Sequence, residues 1–192
     1  LLTMPTALRH RINGEHIAMI FQDALAALNP SQTVGTQIGE MFTLHRGMRR
    51  HEAFQYAIEL MNRVRIPAAA KRARCYPHEF SGGMRQRVAL ARTLMQDKPL
   101  VLMDEPFSAL DAVTRHKLQT LSAELLKDKT VVLITHDPQE AVRLAHQLYV
   151  LQGTPAQAQH LVVPDSKPPR VLDGECAALQ QAILDQLEGD YE

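Results

Sequence analysis

The chain has no tryptophan, only two cysteines, 5% aromatic residues and no surplus of either charge, 21 Lys and Arg standing against 21 Asp and Glu. Each shortage excludes something. A formal net charge of +0 leaves out the basic excess expected of a nucleic-acid-binding protein. Local clusters such as Arg46, Arg49, Arg50 and Lys71, Arg72, Arg74 then read as solvated helix faces. Cys75 and Cys176 lie far apart, with no Cys-x-x-Cys and no paired His to complete a zinc site. A reduced, cytosolic protein is the expectation. No apolar run approaches the ~20 residues that span a bilayer. The opening, Leu1-Leu2-Thr3-Met4-Pro5, shows no charged-then-apolar signal pattern. It also lacks an initiating Met, so the chain is expected to be cut from something longer. What remains is an ordinary globular composition, 45% hydrophobic over 192 residues. That is enough for one domain with a core and a small subdomain beside it.

Along the chain, two periodicities alternate. Ile17–Phe21 suits a buried strand, ended by Gln22-Asp23, and Asn29-Pro30-Ser31 then breaks the chain. From Thr33 to about Arg65 the period is helical. Phe54, Ala57, Ile58, Met61 and Val64 share one face, and Pro67 closes the segment. After Tyr76-Pro77-His78, the triplet Ser81-Gly82-Gly83 opens a helix with Met84, Val88, Ala91 and Met95 on its inner side. A strand over Leu100–Met103, a helix from Asp111 to about Lys127 and a strand over Val131–Ile134 follow. The next helix begins at Asp137-Pro138-Gln139-Glu140, which combines an N-cap Asp, a Pro in the first turn and a Glu at the third helical position. Leu148–Leu151 reads as a last core strand. Residues 153–170 read as Pro-rich and irregular, and a short amphipathic helix follows with Ala178, Ile183, Leu184 and Leu187 inward. Apolar strands alternating with helices predict an α/β fold with a largely parallel sheet covered on both faces. The segment of about 30–77 is a helical subdomain inserted into it.

Several residues carry chemistry. The strand Leu100-Val101-Leu102-Met103 ends in Asp104-Glu105, two carboxylates at the edge of a parallel sheet where ligands bind in such folds. The first suits a Mg²⁺ site and the second a base for an attacking water. A plain strand end with a helix cap would use the same residues. Ser81-Gly82-Gly83 offers a hydroxyl, free N–H groups and the positive end of a helix dipole, the parts of a phosphate cradle or of a flexible cap. His136 and Gln22 each follow an apolar strand, and each alone is as readily structural.

Order and spacing bind these signals together. Gln22, Ser81-Gly82-Gly83, Asp104-Glu105, Ser108-Ala109-Leu110-Asp111 and His136 occur in that sequence, with steps of 59, 23 and 32 positions from Gln22 to Ser81, Asp104 and His136 in turn. From about Arg11 to Gly153 the chain resembles the ATP-binding cassette (ABC) ATPases of bacterial importers. The resemblance implies a P-loop-NTPase-like core, with residues 1–153 forming a partial ATPase domain and 154–192 a Pro-rich linker and short helix. It implies ATP and Mg²⁺ as cofactors, hydrolysis coupled to solute uptake, and cytoplasmic placement on the inner face of the membrane. Gln22 resembles the Q-loop residue that touches Mg²⁺ and the attacking water. Ser81, Gly82 and Gly83 resemble the signature motif that caps the γ-phosphate of ATP held by a partner subunit, although Met84 stands where many members have Gln. Asp104 resembles the Walker B metal ligand, Glu105 the catalytic base, Asp111 the D-loop acid and His136 the switch histidine. The implied partners are a second cassette packed head to tail, membrane permease subunits, a solute-binding protein indirectly, and no nucleic acid.

One part of the family pattern is missing. Nowhere do the 192 residues contain Gly-x-x-x-x-Gly-Lys-Ser/Thr, the loop whose N–H groups and lysine hold the nucleotide phosphates. As written, the chain is expected not to hydrolyse ATP, either as a fragment or as a degenerate subunit that supplies only its signature motif in trans. The cargo is open between two readings. Ile17–Asp23, Leu28-Asn29-Pro30 and Tyr76–Phe80 look like peptide and nickel importers. Asp104–Asp111 and Thr135–Pro138 look like importers of thiamine precursors, taurine or nitrate. DNA-repair ATPases with the same motifs insert long coiled coils where this chain has 59 residues with Gly47 and Pro67. Translation-factor ATPases carry two cassettes and a basic linker.

Overall fold

The computed structural model describes residues 3–23 and 27–188, with residues 11, 14, 45 and 46 described for their backbone alone. Leu1-Leu2 and the side chain of Arg46 therefore lie outside the described residues. The chain divides into two units, Leu1–Ile134 and Thr135–Glu192.

In the first unit, three parallel strands lie in the order β1-β2-β3: β1 (Ile17–Ile20), β2 (Leu100–Asp104) and β3 (Thr130–Ile134). The register sets Ala18 beside Val101 and Val101 beside Val131, and likewise Ile20 beside Met103 and Met103 beside Leu133. Ala18, Ile20, Val101 and Met103 are buried, whereas Met19, Val132 and Ile134, from the alternate positions, are exposed. Among the described residues the sheet is thus covered well on one face only, and burial alternates along β1 and β2 as the pleat dictates, while in β3 Val131 is exposed as well. This departs from the expected two-sided cover. It also leaves β3, despite its Val-Val-Leu-Ile run, the least buried of the three.

Between β1 and β2 stand α2 (Val34–Arg46), α3 (Arg50–Arg63), the short α4 (Ala69–Arg72) and α5 (Gly82–Gln96). The single helical period over Thr33–Arg65 is in fact two helices, parted at Gly47, whose φ of 61° closes α2 in the left-handed region. Ala57, Met61 and Val64 form the buried stripe of this stretch, with Phe54 and Ile58 half-buried beside it. Gly39 allows α2 to lie directly on α3, since a Cβ there would meet the Ala53 carbonyl oxygen at 3.0 Å. An unpredicted helix, α1 (Thr6–His16), precedes β1. Helix α6 (Ala112–Leu125) follows β2, and its N-cap Asp111 accepts a hydrogen bond from the Thr114 amide at 3.0 Å.

The second unit contains α7 (Pro138–Leu144), β4 (Leu148–Gln152), β5 (Gln157–Leu161) and α8 (Gly174–Glu188). Asp137 caps α7 as its sequence predicts, accepting from Gln139 at 2.9 Å and Glu140 at 3.3 Å. Leu148–Leu151 does form a strand, but its partner is β5, antiparallel, within the stretch expected to be irregular. Val142, Leu148, Val150, Cys176 and Ile183 form this unit's own core. Arg170, 4% exposed, donates from Nη1 to the carbonyls of Val142 at 2.9 Å and Ala145 at 2.6 Å, and from Nη2 to Pro164 at 2.9 Å. It thereby satisfies the C-terminal carbonyls of α7.

Candidate functional site

The parallel register determines which side chains meet at the carboxyl edge of the sheet. Because Ile20 pairs with Met103, Gln22 and Glu105 emerge side by side just beyond the ladder. Gln22 Nε2 donates to Glu105 Oε2 at 3.2 Å and to Ser108 Oγ at 3.4 Å. The Ser108 hydroxyl in turn donates to the Glu105 carbonyl at 3.0 Å. Glu105 takes a φ of 43°, sparsely populated for a residue with a side chain, and its amide donates to Ile134 O at 2.9 Å. The turn after it is braced by Arg115, which donates to the carbonyls of Phe107 at 3.3 Å and Leu110 at 2.9 Å. Asp104, the last residue of β2, is half-buried next to this group.

A second cluster forms where the N-termini of α5 and α6 converge. Ser81 is the N-cap of α5, yet its hydroxyl makes no capping bond, and it is exposed together with Gly82. With Gly83, Leu110, Asp111, Thr114 and Lys117 they border an open groove of about 440 Å³. Hydrogen bonds from Thr114, first its side chain and then its amide, hold the Asp111 carboxyl below the usual carboxylate range.

The structure therefore places Gln22, Asp104 and Glu105 in one group at the sheet edge and Ser81, Gly82, Gly83 and Asp111 around one groove. His136 is exposed and opens the second unit, two residues after β3 ends. Ser108 is legible in the sequence only as part of the Ser108–Asp111 motif, with no role of its own, and Thr114 and Lys117 lie outside the motifs. Thr114 has a readable signal, the third helical position after an N-cap Asp; Lys117 has none.

The donors present suit two of the groups the family implies. Mg²⁺ takes oxygen ligands, keeps several waters and binds through one or two protein groups plus phosphate oxygens. Asp104 and the Oε1 of Gln22 offer oxygens of this kind. Among the described residues no three His, Cys, Asp or Glu side chains gather into a cage that would hold a metal alone. The uncapped Ser81 hydroxyl and the first amides of α5 suit phosphate oxygens. The cradle for the remaining phosphates has no counterpart in the sequence.

Comparison with known proteins places the chain among its relatives. The ABC transporter family model matches residues 3–108. The chain is 42% identical over 139 residues to the oligopeptide transport ATP-binding protein OppD of Salmonella typhimurium, covering 71% of this chain and 42% of that protein. It is 51% identical over 116 residues to an ABC transporter ATP-binding protein of Haemophilus influenzae, covering 58% and 48%. A putative peptide import ATP-binding protein of Brucella abortus is 44% identical over 139 residues, covering 71% and 42%. The chain thus spans less than half the length of these relatives. Among solved structures, the dimeric post-hydrolysis ATP-binding cassette MJ0796 with ADP and Pi aligns with a TM-score of 0.61 at 30% identity, over 73% of this chain and 60% of that one. With more than half its length matched by the family model, and this fold beneath it, the chain belongs to the ATP-binding domain of the ABC transporter family.

Proposed function

We propose that the chain serves as an ATP-binding subunit of a bacterial ABC importer, one member of a head-to-tail pair of cassettes, with peptides as cargo. The observation that carries this reading is the separation of labour on the first unit. One edge holds Gln22 against Glu105 at 3.2 Å, and a different groove exposes an unused Ser81 hydroxyl at a helix start. In this reading Glu105 accepts the proton of an attacking water that Gln22 orients. Asp104 and Gln22 hold Mg²⁺, which when bound neutralises phosphate charge. Ser81, Gly82 and Gly83 donate to the γ-phosphate of ATP held by the partner, Asp111 communicates across the pair, and His136 contacts the γ-phosphate on its own side. Peptide cargo is supported by the names of the Salmonella and Brucella relatives, in line with the motifs of residues 17–80. The helices of residues 30–77, which expose Leu44, Tyr56 and Tyr76, are proposed to dock the permease from the cytoplasmic face of the membrane. A solute-binding protein would act through that permease.

A second reading is favoured by one observation, the exposed Ser81 hydroxyl that makes no capping bond at the start of α5 beside an open groove. It has the chain acting on ATP in trans, completing the site of an intact cassette. Both readings require pairing through the Ser81 groove. Sedimentation of the chain with an intact peptide-importer cassette tests this: a one-to-one complex should form with Mg-ATP and fail with Ser81→Arg. No complex under any nucleotide condition would contradict both.

A further inference from the structure

Helix α5 reaches the Gln22 cluster through the side chain of Gln86. Gln86 is 8% exposed, although glutamine belongs mostly to protein surfaces. Its Nε2 donates to the backbone oxygen of Gln22 at 3.1 Å. A buried amide costs free energy unless it is hydrogen-bonded, and a methionine would fill the same volume without that cost. What the amide contributes at this position is therefore the bond to the Gln22 main chain. Gln22 needs such a hold, because the last β1–β2 pair is Ile20 with Met103 and the ladder no longer fixes the chain at residue 22. Farther along α5, Arg92 Nη1 donates to Ala27 O at 2.7 Å, so one helix grips the same connection at a second point.

We propose that Gln86 is a positioning residue for the Gln22–Glu105 pair. It fixes the backbone of Gln22 so that the side chain reaches Glu105 Oε2 and Ser108 Oγ, and it ties that reach to the seating of α5, the helix whose N-terminus carries Ser81. A shift of α5 at its signature end is thereby felt at the Glu105 carboxylate through two hydrogen bonds. The catalytic meaning of the tie rests on the function proposed above, whereas its geometry does not. The tie is worth having because a misplacement of about 1 Å at a reacting group can cost on the order of 10²-fold in rate.

The test is spectroscopic and uses the whole ¹⁵N-labelled chain without nucleotide. In the native background, Glu105→Gln should shift the side-chain NH₂ resonance of Gln22, reporting their contact. In a Gln86→Met background that response should vanish, while the amides of Val88, Leu90 and Ala91 in α5 keep their positions. Gln86→Glu, of similar shape but unable to donate at neutral pH, should behave like the Met variant. A Gln22 resonance that still responds fully to Glu105→Gln in either background overturns the proposal. Loss of the α5 fold in both variants also overturns it, assigning Gln86 to structure alone. Failure of the ATP-dependent pairing described above would remove the proposed function while leaving this result readable.

Discussion

A Cβ added to Gly83 would stand 2.5 Å from Cγ2 of Thr114, so the second residue of α5 and the first turn of α6 touch without room for a methyl group. The N-terminal end of α5 is thus seated on the helix that Asp111 caps. The Gly83 backbone is helical, so Ala there gains about 1 kcal/mol of helix propensity. Overpacking against the stiff, β-branched Thr114 costs about 1–3 kcal/mol and should win. Gly83→Ala is predicted to lower stability. Gly83→Ala with Thr114→Ser, which removes Cγ2, should recover it. Urea denaturation of the two single variants and the double variant measures the coupling.

Asp111 supplies a pH signature. Its folded-state pKa lies below the unfolded value because of the Thr114 hydrogen bonds. Its contribution is therefore present above the unfolded carboxylate pKa, about 3.9, and is lost as pH falls through the folded one. Asp111→Asn keeps a capping oxygen but does not titrate at this position. The stability advantage of the native chain over Asp111→Asn should be constant near neutrality and shrink as pH falls below about 4. A gap that is flat down to acid unfolding would contradict the assignment.

The second unit depends on Arg170, whose guanidinium bonds three carbonyls in a buried position. Arg170→Met strands those carbonyls and should cost about 1.5–3 kcal/mol or more, the scale for a hydrogen bond to a charged donor. Native-state hydrogen exchange should locate the loss in β4, β5 and α7 and leave β1 and β2 unchanged. Equal loss in both units would indicate that they unfold together.

The contrast between Asp137 and β5 shows what a sequence makes legible. Local chemistry is readable: Asp111 and Asp137 both cap the helices assigned to them, because an N-cap needs only its own amides. The strands at Ile17, Leu100 and Thr130 are readable from their apolar runs, and so is the motif order from Gln22 to His136. Pairing is not, because it depends on residues far away. Leu148–Gln152 looks like a core strand, yet it pairs with Gln157–Leu161, a segment whose composition, Gln-Ala-Gln-His-Leu, carries little strand signal. Helix α1 lacks an apolar stripe and so escaped notice. In the site, the sequence marks Gln22 and Glu105 each as the end of an apolar strand, but their contact follows only from the β1–β2 register.

Nucleotide affinity tests the missing cradle directly. Without a phosphate loop, the chain alone should bind Mg-ATP no more tightly than roughly millimolar, the range left to weak contacts. Isothermal titration showing micromolar binding would require a phosphate cradle built from other residues.

The central claim is that Ser81-Gly82-Gly83 acts on ATP held by another cassette. Backbone and side-chain donors aimed at developing phosphate charge are among the largest catalytic contributions, about 10²–10³-fold for a single donor. The most direct measurement mixes the chain with an intact cassette whose own signature serine is disabled and follows ATP hydrolysis. The account predicts that activity returns with the native chain and disappears with Ser81→Arg. A folded chain that binds the cassette, as seen by sedimentation, yet restores no hydrolysis would contradict it.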